Sequence, residues 1–243
     1  MHRFFADKSQ FDGGKVTITG DDVKHISRVL RLSVGDAISV CDKDRTDYAC
    51  SISDIGKDYV TADIVDSQPN GNESELRVTL YQGLPKGDKM DLIVQKSVEL
   101  GAEKIVPVVM KRTVVKLKNA SSKCDRWQRI AEEAAKQCMR GIIPKVEEPV
   151  SFEDMLSMLR EDDISILPYE NEKNNKLRQC LRDNSNASRV NIIIGPEGGF
   201  EPDEVSLAEK KGVHKVTLGP RIMRCETAPL AAIAAVMYEL GDW

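Results

Sequence analysis

The residues best equipped for chemistry lie in VTLGPRIMRCETAPLAAIAAV, Val216 to Val236. A strand-like apolar start and a helix-like apolar end enclose Arg221, Arg224 and Glu226, next to a Gly-Pro break. Burying such charges is costly unless each is paired. A structural Arg–Glu pair would satisfy them, and so would a site that binds an anion or polarises a carbonyl. A second break, IIIGPEGGFEPDE, runs through Gly195, Pro196, Glu197, Gly198 and Gly199 before a helix start. Adjacent glycines let a backbone approach a ligand closely, although a tight strand-to-helix turn uses the same residues. The loop has neither the Gly-Lys-Ser/Thr of a phosphate-binding P-loop nor the G-x-G-x-x-G spacing of a dinucleotide site. A third apolar run, ISILPYE, ends in Leu167, Pro168 and Glu170.

Elements that would position these loops can be read from periodicity. From residue 76 onward, continuous apolar runs (LRVTLYQ, KIVPVVM, DISILPY, RVNIIIG, HKVTLG) alternate with helical stretches. The helices are expected over 88–100, 125–140, near 172–181, over 203–211, and over 227–240. That alternation predicts a mostly parallel sheet covered on both faces. Ligands of such sheets bind beyond the carboxyl ends of the strands, where all three breaks fall. The final helix, TAPLAAIAAVMYEL, is apolar nearly all round, which suits a dimer interface or a buried core position. Residues 1–68 read differently, as short alternating strands (KVTIT, AISVCD, YACSISDI, YVTADIVD) around one helix from Asp21 to the Gly35-Asp36 turn. On that helix Val23, Ile26, Val29 and Leu30 make an apolar stripe, and Lys24, Arg28 and Arg31 make a basic face. SQPNGNESE, 67–75, is the expected linker, giving domains of 1–70 and 74–243.

Composition narrows the class. The chain has 243 residues, 41% hydrophobic and 30% charged, as expected of a globular protein. Six cysteines without C-x-x-C spacing and three scattered histidines predict reduced thiols and no metal site. No apolar run reaches the roughly 20 residues that span a bilayer, and the start, MHRFFADKSQ, lacks a secretory pattern. A cytoplasmic protein without a membrane partner is therefore expected. The net charge of −4 conceals a basic belt, with eleven Lys/Arg against three acids between Lys104 and Lys145. Such a belt can hold a polyanion, or be a solvated helix face.

The two loops together, IIIGPEGGFEPDE and LGPRIMRCETA, resemble the C-terminal signature of the RsmE family of 16S ribosomal RNA uridine-N3 methyltransferases, in the SPOUT superfamily. LPKGDKMDLIVQKSVELGAEKIVPVVMKRTVVK, RWQRIAEEAAKQCMRGIIPKV, MHRFF and HISRVLRLSVGD extend the resemblance, in order, over nearly the whole chain. The resemblance implies an α/β protein: an N-terminal PUA-like β-barrel that binds RNA, and a SPOUT domain with a C-terminal trefoil knot. It also implies a homodimer that uses S-adenosyl-L-methionine to methylate a uridine of 16S rRNA, free or in the assembled small subunit. The implied cofactor residues are Leu167, Pro168, Gly195, Pro196, Glu197, Gly198, Gly199, Leu218, Gly219, Ile222, Met223, Thr227 and Ala228. Arg221, Arg224 and Glu226 are the expected catalytic groups, one arginine facing the uracil carbonyls and Glu226, or else Glu197, taking the imide proton. Arg3, Lys24, Arg28, Arg31, Lys86, Lys111, Arg112, Arg126, Arg129 and Arg140, with Lys116 and Lys123, are expected to follow rRNA phosphates. The commonest form of the signature reads ILRTETA, so Cys225 replaces a threonine hydroxyl and Met223 a leucine. Competing expectations are another SPOUT methylation or a non-catalytic RNA-binding factor.

Overall fold

The computed structural model describes residues 1–115 and 120–243, and the expected phosphate contact Lys116 lies outside them. The chain divides into two compact units, Met1–Glu73 with Ala135–Ile143, and Ser74–Ala134 with Pro144–Trp243.

The first unit contains β1 (His2–Phe5), β2 (Phe11–Asp12), β3 (Lys15–Thr19), β4 (Ala37–Cys41), β5 (Thr46–Ile55) and β6 (Tyr59–Pro69). They form a six-stranded sheet in the order β1-β4-β5-β6-β3-β2, antiparallel except for the β1–β4 pair. Alternating residues such as Val16, Ile18, Ile38, Val40, Val60 and Ala62 face its core. The expected linker begins inside β6, where Ser67, Gln68 and Pro69 pair with Tyr48, Asp47 and Thr46. Beyond Asp63 the strand has lost its β3 neighbour, so the missing N–H of Pro69 disrupts no second ladder.

The expected helix is shorter than its pattern. α1 (Asp21–Lys24) continues as one π-helical turn, His25–Val29, and Arg31 adopts φ +53°. Leu30 N–H donates to His25 O at 2.9 Å, and this wider turn carries Val29 off the apolar stripe, leaving it 70% exposed. Lys24, Arg28 and Arg31 remain exposed.

Two expected RNA contacts are corrected here. Arg140 is buried and pairs with Glu73 at 2.8 Å. Arg3 is buried as well, pairing with Asp47 at 2.7 Å and donating to Arg140 O at 2.6 Å. Glu73 also accepts the Gly141 and Ile142 N–H groups at 2.8 and 3.2 Å, fastening 135–143 within the first unit. Neither arginine is open to a phosphate.

The second unit alternates strands and helices: β7 (Arg77–Gly83), α2 (Lys89–Glu99), β8 (Lys104–Val109), α3 (Ala120–Gln137), β9 (Lys145–Val146), β10 (Val150–Ser151), α4 (Phe152–Met158), β11 (Ile164–Pro168), α5 (Leu177–Asp183), β12 (Arg189–Ile194), α6 (Pro202–Lys210), β13 (His214–Val216) and α7 (Thr227–Leu240). α3 ends within the first unit. The sheet has seven parallel strands, ordered β10-β8-β7-β12-β11-β13, with β9 also on β8. Val78, Leu80, Val106, Ile166, Ile192 and Ile193 are buried in it, as continuous apolar strands require. α4, absent from the expected helices, is capped by Ser151, whose hydroxyl accepts the Asp154 N–H.

β13 is clasped from two sides. It pairs with β11, and Tyr169 N–H donates to Val216 O at 3.0 Å. The next residue turns the other way: Thr217 N–H donates to Asn175 O at 2.8 Å, and Leu177 N–H to Thr217 O at 3.2 Å. The chain at 175–177 is therefore committed to β13, which delays α5 to Leu177 instead of the expected 172. α7 buries Ala232, Ile233, Val236 and Met237 but leaves Tyr238 72% exposed, so it is not enclosed all round within one chain.

Candidate active site

The carboxyl ends of β11 and β12 and the loop after β13 converge on one cavity of about 480 Å³. Pro168 and Glu170 come from the first, Ile194 to Phe200 from the second, and Ile222 to Cys225 with Ala228 from the third. Close packing dictates glycine in the middle loop. A Cβ on Gly195 would lie 3.2 Å from Gly199 backbone, and one on Gly199, at φ +68°, would lie 3.0 Å from Glu170 Oε1. Gly83, at the end of β7, is tighter still: a Cβ there would stand 2.5 Å from Pro196 N.

The loop is braced from outside. Arg112 donates to Gly198 O at 2.7 Å and to Glu201 Oε1 at 2.8 Å. Glu204, buried, accepts the N–H groups of Lys111 and Glu201, both at 2.9 Å, and completes a capping box at the start of α6. Lys111 pairs with Asp203.

On the opposite wall, the Arg224 carbonyl accepts the Thr227 and Ala228 N–H groups at 2.8 and 2.9 Å, starting α7, while the exposed Arg224 side chain lines the cavity. Cys225 donates to Glu226 Oε2 at 3.2 Å. Lys89, the first residue of α2, reaches Glu197 Oε1 at 3.0 Å and Glu226 Oε2 at 3.3 Å. Partial burial pushes the Glu197 carboxyl up, but the Lys86 N–H, its own N–H and then Lys89 outweigh it and hold the group below its ordinary value. Glu226 is also lowered, by its own backbone N–H first, then by the Cys225 thiol and Lys89.

Of the expected cofactor residues, Pro168, Gly195 to Gly199, Ile222, Met223 and Ala228 share the cavity. Leu167 precedes Pro168 on β11, and its side chain is buried in the sheet core instead of lining the cavity. Leu218 and Gly219 line a neighbouring 870 Å³ groove between α5 and α7, which shares Glu170 and Met223 with the cavity. Thr227 is exposed and is used through its N–H. Arg221 is exposed and outside the cavity lining, whereas Glu226 joins the site through Lys89. Lys89 and Gly83 were not singled out by spacing. Both lie in the LPKGDK neighbourhood, and the only signal was a Gly-x-Pro break after an apolar run. Among the belt cations, Lys111, Arg112 and Arg126 are paired with Asp203, Glu201 and Asp91. Arg129 donates to Asp125 O at 3.3 Å, and the Lys86 side chain is exposed.

Residues 72–237 match the model of an RNA methyltransferase domain, and residues 18–65 that of an RNA methyltransferase PUA domain. The ribosomal RNA small subunit methyltransferase E of Bacillus subtilis is 36% identical over 98% of this chain and 97% of its own length. The chain belongs to the ribosomal RNA small subunit methyltransferase E family. The Synechocystis member is 33% identical over 97% of this chain and 77% of its own length. A family member from Neisseria gonorrhoeae, solved bound to S-adenosyl methionine, superposes with a TM-score of 0.91 at 33% identity, covering 100% of this chain and 99% of that one. This family thus combines the parallel α/β unit and the PUA domain seen here.

Proposed function

We propose that the chain methylates N3 of a uridine in 16S rRNA of the small ribosomal subunit, using S-adenosylmethionine. The observation that carries this reading is the convergence of the glycine loop and the arginine loop, from separate strand ends, on one cavity with Arg224 in its wall. The cavity fits the cofactor. Gly195 and Gly199 keep the loop packed tightly on itself and on Glu170 at the cavity's edge, and Ile222, Met223 and Ala228 offer apolar surface in its wall. Pro168, Gly195 to Gly199, Ile222, Met223 and Ala228 would hold the cofactor, with Leu218 and Gly219 from the adjoining groove. When bound, it supplies a methyl group already activated on a sulfonium.

The residues must then handle the uracil imide. Arg224, in the cavity wall, stabilises negative charge on a uracil carbonyl as N3 loses its proton in this reading. Glu226, ionised at neutral pH, accepts that proton and so frees the N3 electron pair to act as nucleophile. Lys24, Arg28, Arg31, Lys86 and Arg129 are the exposed cations left to meet phosphates, and that binding should weaken steeply with salt. The family resemblance implies a C-terminal trefoil knot in the second unit, and the match of residues 18–65 to an RNA methyltransferase PUA domain supports a PUA-like first unit. The half-buried Ala231 and Ala235 with the exposed Tyr238 on α7 support a homodimer, which would work in the cytoplasm.

Mass mapping of 16S rRNA from cells with and without this chain tests the reading. One methyl on a uridine base should vanish and return on complementation; unchanged rRNA sinks it. Arg224→Ala and Glu226→Gln should each slow methyl transfer by about 10²-fold or more while calorimetry still shows cofactor binding.

A further inference from the structure

We propose that Lys89 is a positioning residue of this site, its ammonium holding Glu197 of the glycine loop and Glu226 of the arginine loop in fixed relation beside the cavity. The inference rests on the methyltransferase reading and concerns a group to which that reading gives no task. Nζ lies 3.0 Å from Glu197 Oε1, 3.3 Å from Glu226 Oε2 and 3.8 Å from Cys225 Sγ. One cation on α2 therefore joins two loops that enter the cavity from different strands. Glu197 is held further by the Lys86 N–H at 3.0 Å, so the start of α2 and the turn before it grip the glycine loop together.

The bridge has an electrostatic consequence that simple space-filling would lack. Two carboxylates converge on one point only because a cation occupies it. Without Lys89 the like charges face each other, and protonating one of them becomes favourable. The other charged groups of this wall are Glu170 and Arg224, which line the same cavity. The Cys225 thiol, which burial and the Glu226 contact push up to about 12, stays neutral and cannot replace the ammonium. Lys89 thus ties the two loops together and adds to the ionisation of both carboxylates.

Carboxyl-carbon NMR titration of the cofactor-free protein, with Glu197→Gln and Glu226→Gln for assignment, reads the bridge directly. In the wild type both carboxyls should titrate below ordinary glutamate. In Lys89→Met at least one midpoint should rise by about one pH unit or more. Lys89→Arg, which keeps the charge, should leave both near their wild-type positions. Calorimetry should show S-adenosylmethionine binding weakened about tenfold or more in Lys89→Met and restored in Lys89→Arg. Unmoved midpoints in a folded Lys89→Met protein overturn the proposal; if that variant does not fold, Lys89→Gln carries the same reading. The titration needs neither cofactor nor RNA, whereas wild-type methyl transfer tests the parent function, so the two fail separately.

Discussion

Cys225 occupies the threonine position of the commonest family signature, and its surroundings show what that costs. The thiol still donates to Glu226, so the contact a hydroxyl would make is kept in weaker form. Burial, then the Glu226 contact, push its pKa to about 12, leaving a neutral thiol and a poor nucleophile. Iodoacetamide at pH 8 should therefore leave Cys225 unlabelled in native protein and label it fully in urea, as peptide mass mapping would show; rapid native labelling would contradict this. Glu172 gives a pH signature at the same scale. Its carboxylate accepts the Asn175 and Asn174 N–H groups at 3.0 and 2.8 Å, and these, with Lys215, lower its pKa. A lowered folded value means that the stabilisation is complete above the unfolded value, near pH 4.3, and is lost as pH falls through the folded one. Glu172→Gln should thus melt below wild type at pH 7, and the gap should narrow towards pH 3 in calorimetric scans.

Elements differ in how far their own residues announce them. The parallel strands were legible because a strand buried on both faces is written as an unbroken apolar run, as in RVNIIIG. The π turn was not, because a helical stripe through Val29 looks the same whether or not one hydrogen bond skips to the fifth residue. The late start of α5 was equally hidden, since the bonds to Asn175 and from Leu177 depend on Thr217, some forty residues onward. Within the site, loops that carry glycine and arginine were visible as loops, whereas the Lys89 bridge joins residues distant in sequence. On β11, buried on both faces, the Leu167 side chain packs in the sheet core and Pro168 is the residue that reaches the cavity. Gly83 tests how strictly the elements fix the cavity. Its absent side chain lets the end of β7 touch the Pro196 backbone. Gly83→Ala should cost about 1–3 kcal/mol in urea unfolding and shift the glycine loop, weakening cofactor binding disproportionately. Wild-type affinity in that variant would show that the loop adapts.

At the scale of the whole molecule, the Arg140–Glu73 pair is costly to break because both side chains are buried. Glu73→Ala would remove a buried carboxylate partner of the Arg140 guanidinium and the acceptor of two N–H groups. The expected loss is about 3–5 kcal/mol by denaturant unfolding. A loss below about 1 kcal/mol would mean that the segment can rearrange. That same segment, 135–143, separates the order of synthesis from the order of folding. When Glu73 emerges from a ribosome, the last part of its own unit has not been made, and translating the intervening chain takes on the order of ten seconds. Throughout that interval the acceptors of Glu73 and the strand ends around Asn70 have only water to bind. The N-terminal unit is therefore a poor candidate for excision as a stand-alone RNA-binding module, and its completion during translation waits on the chain of its neighbour.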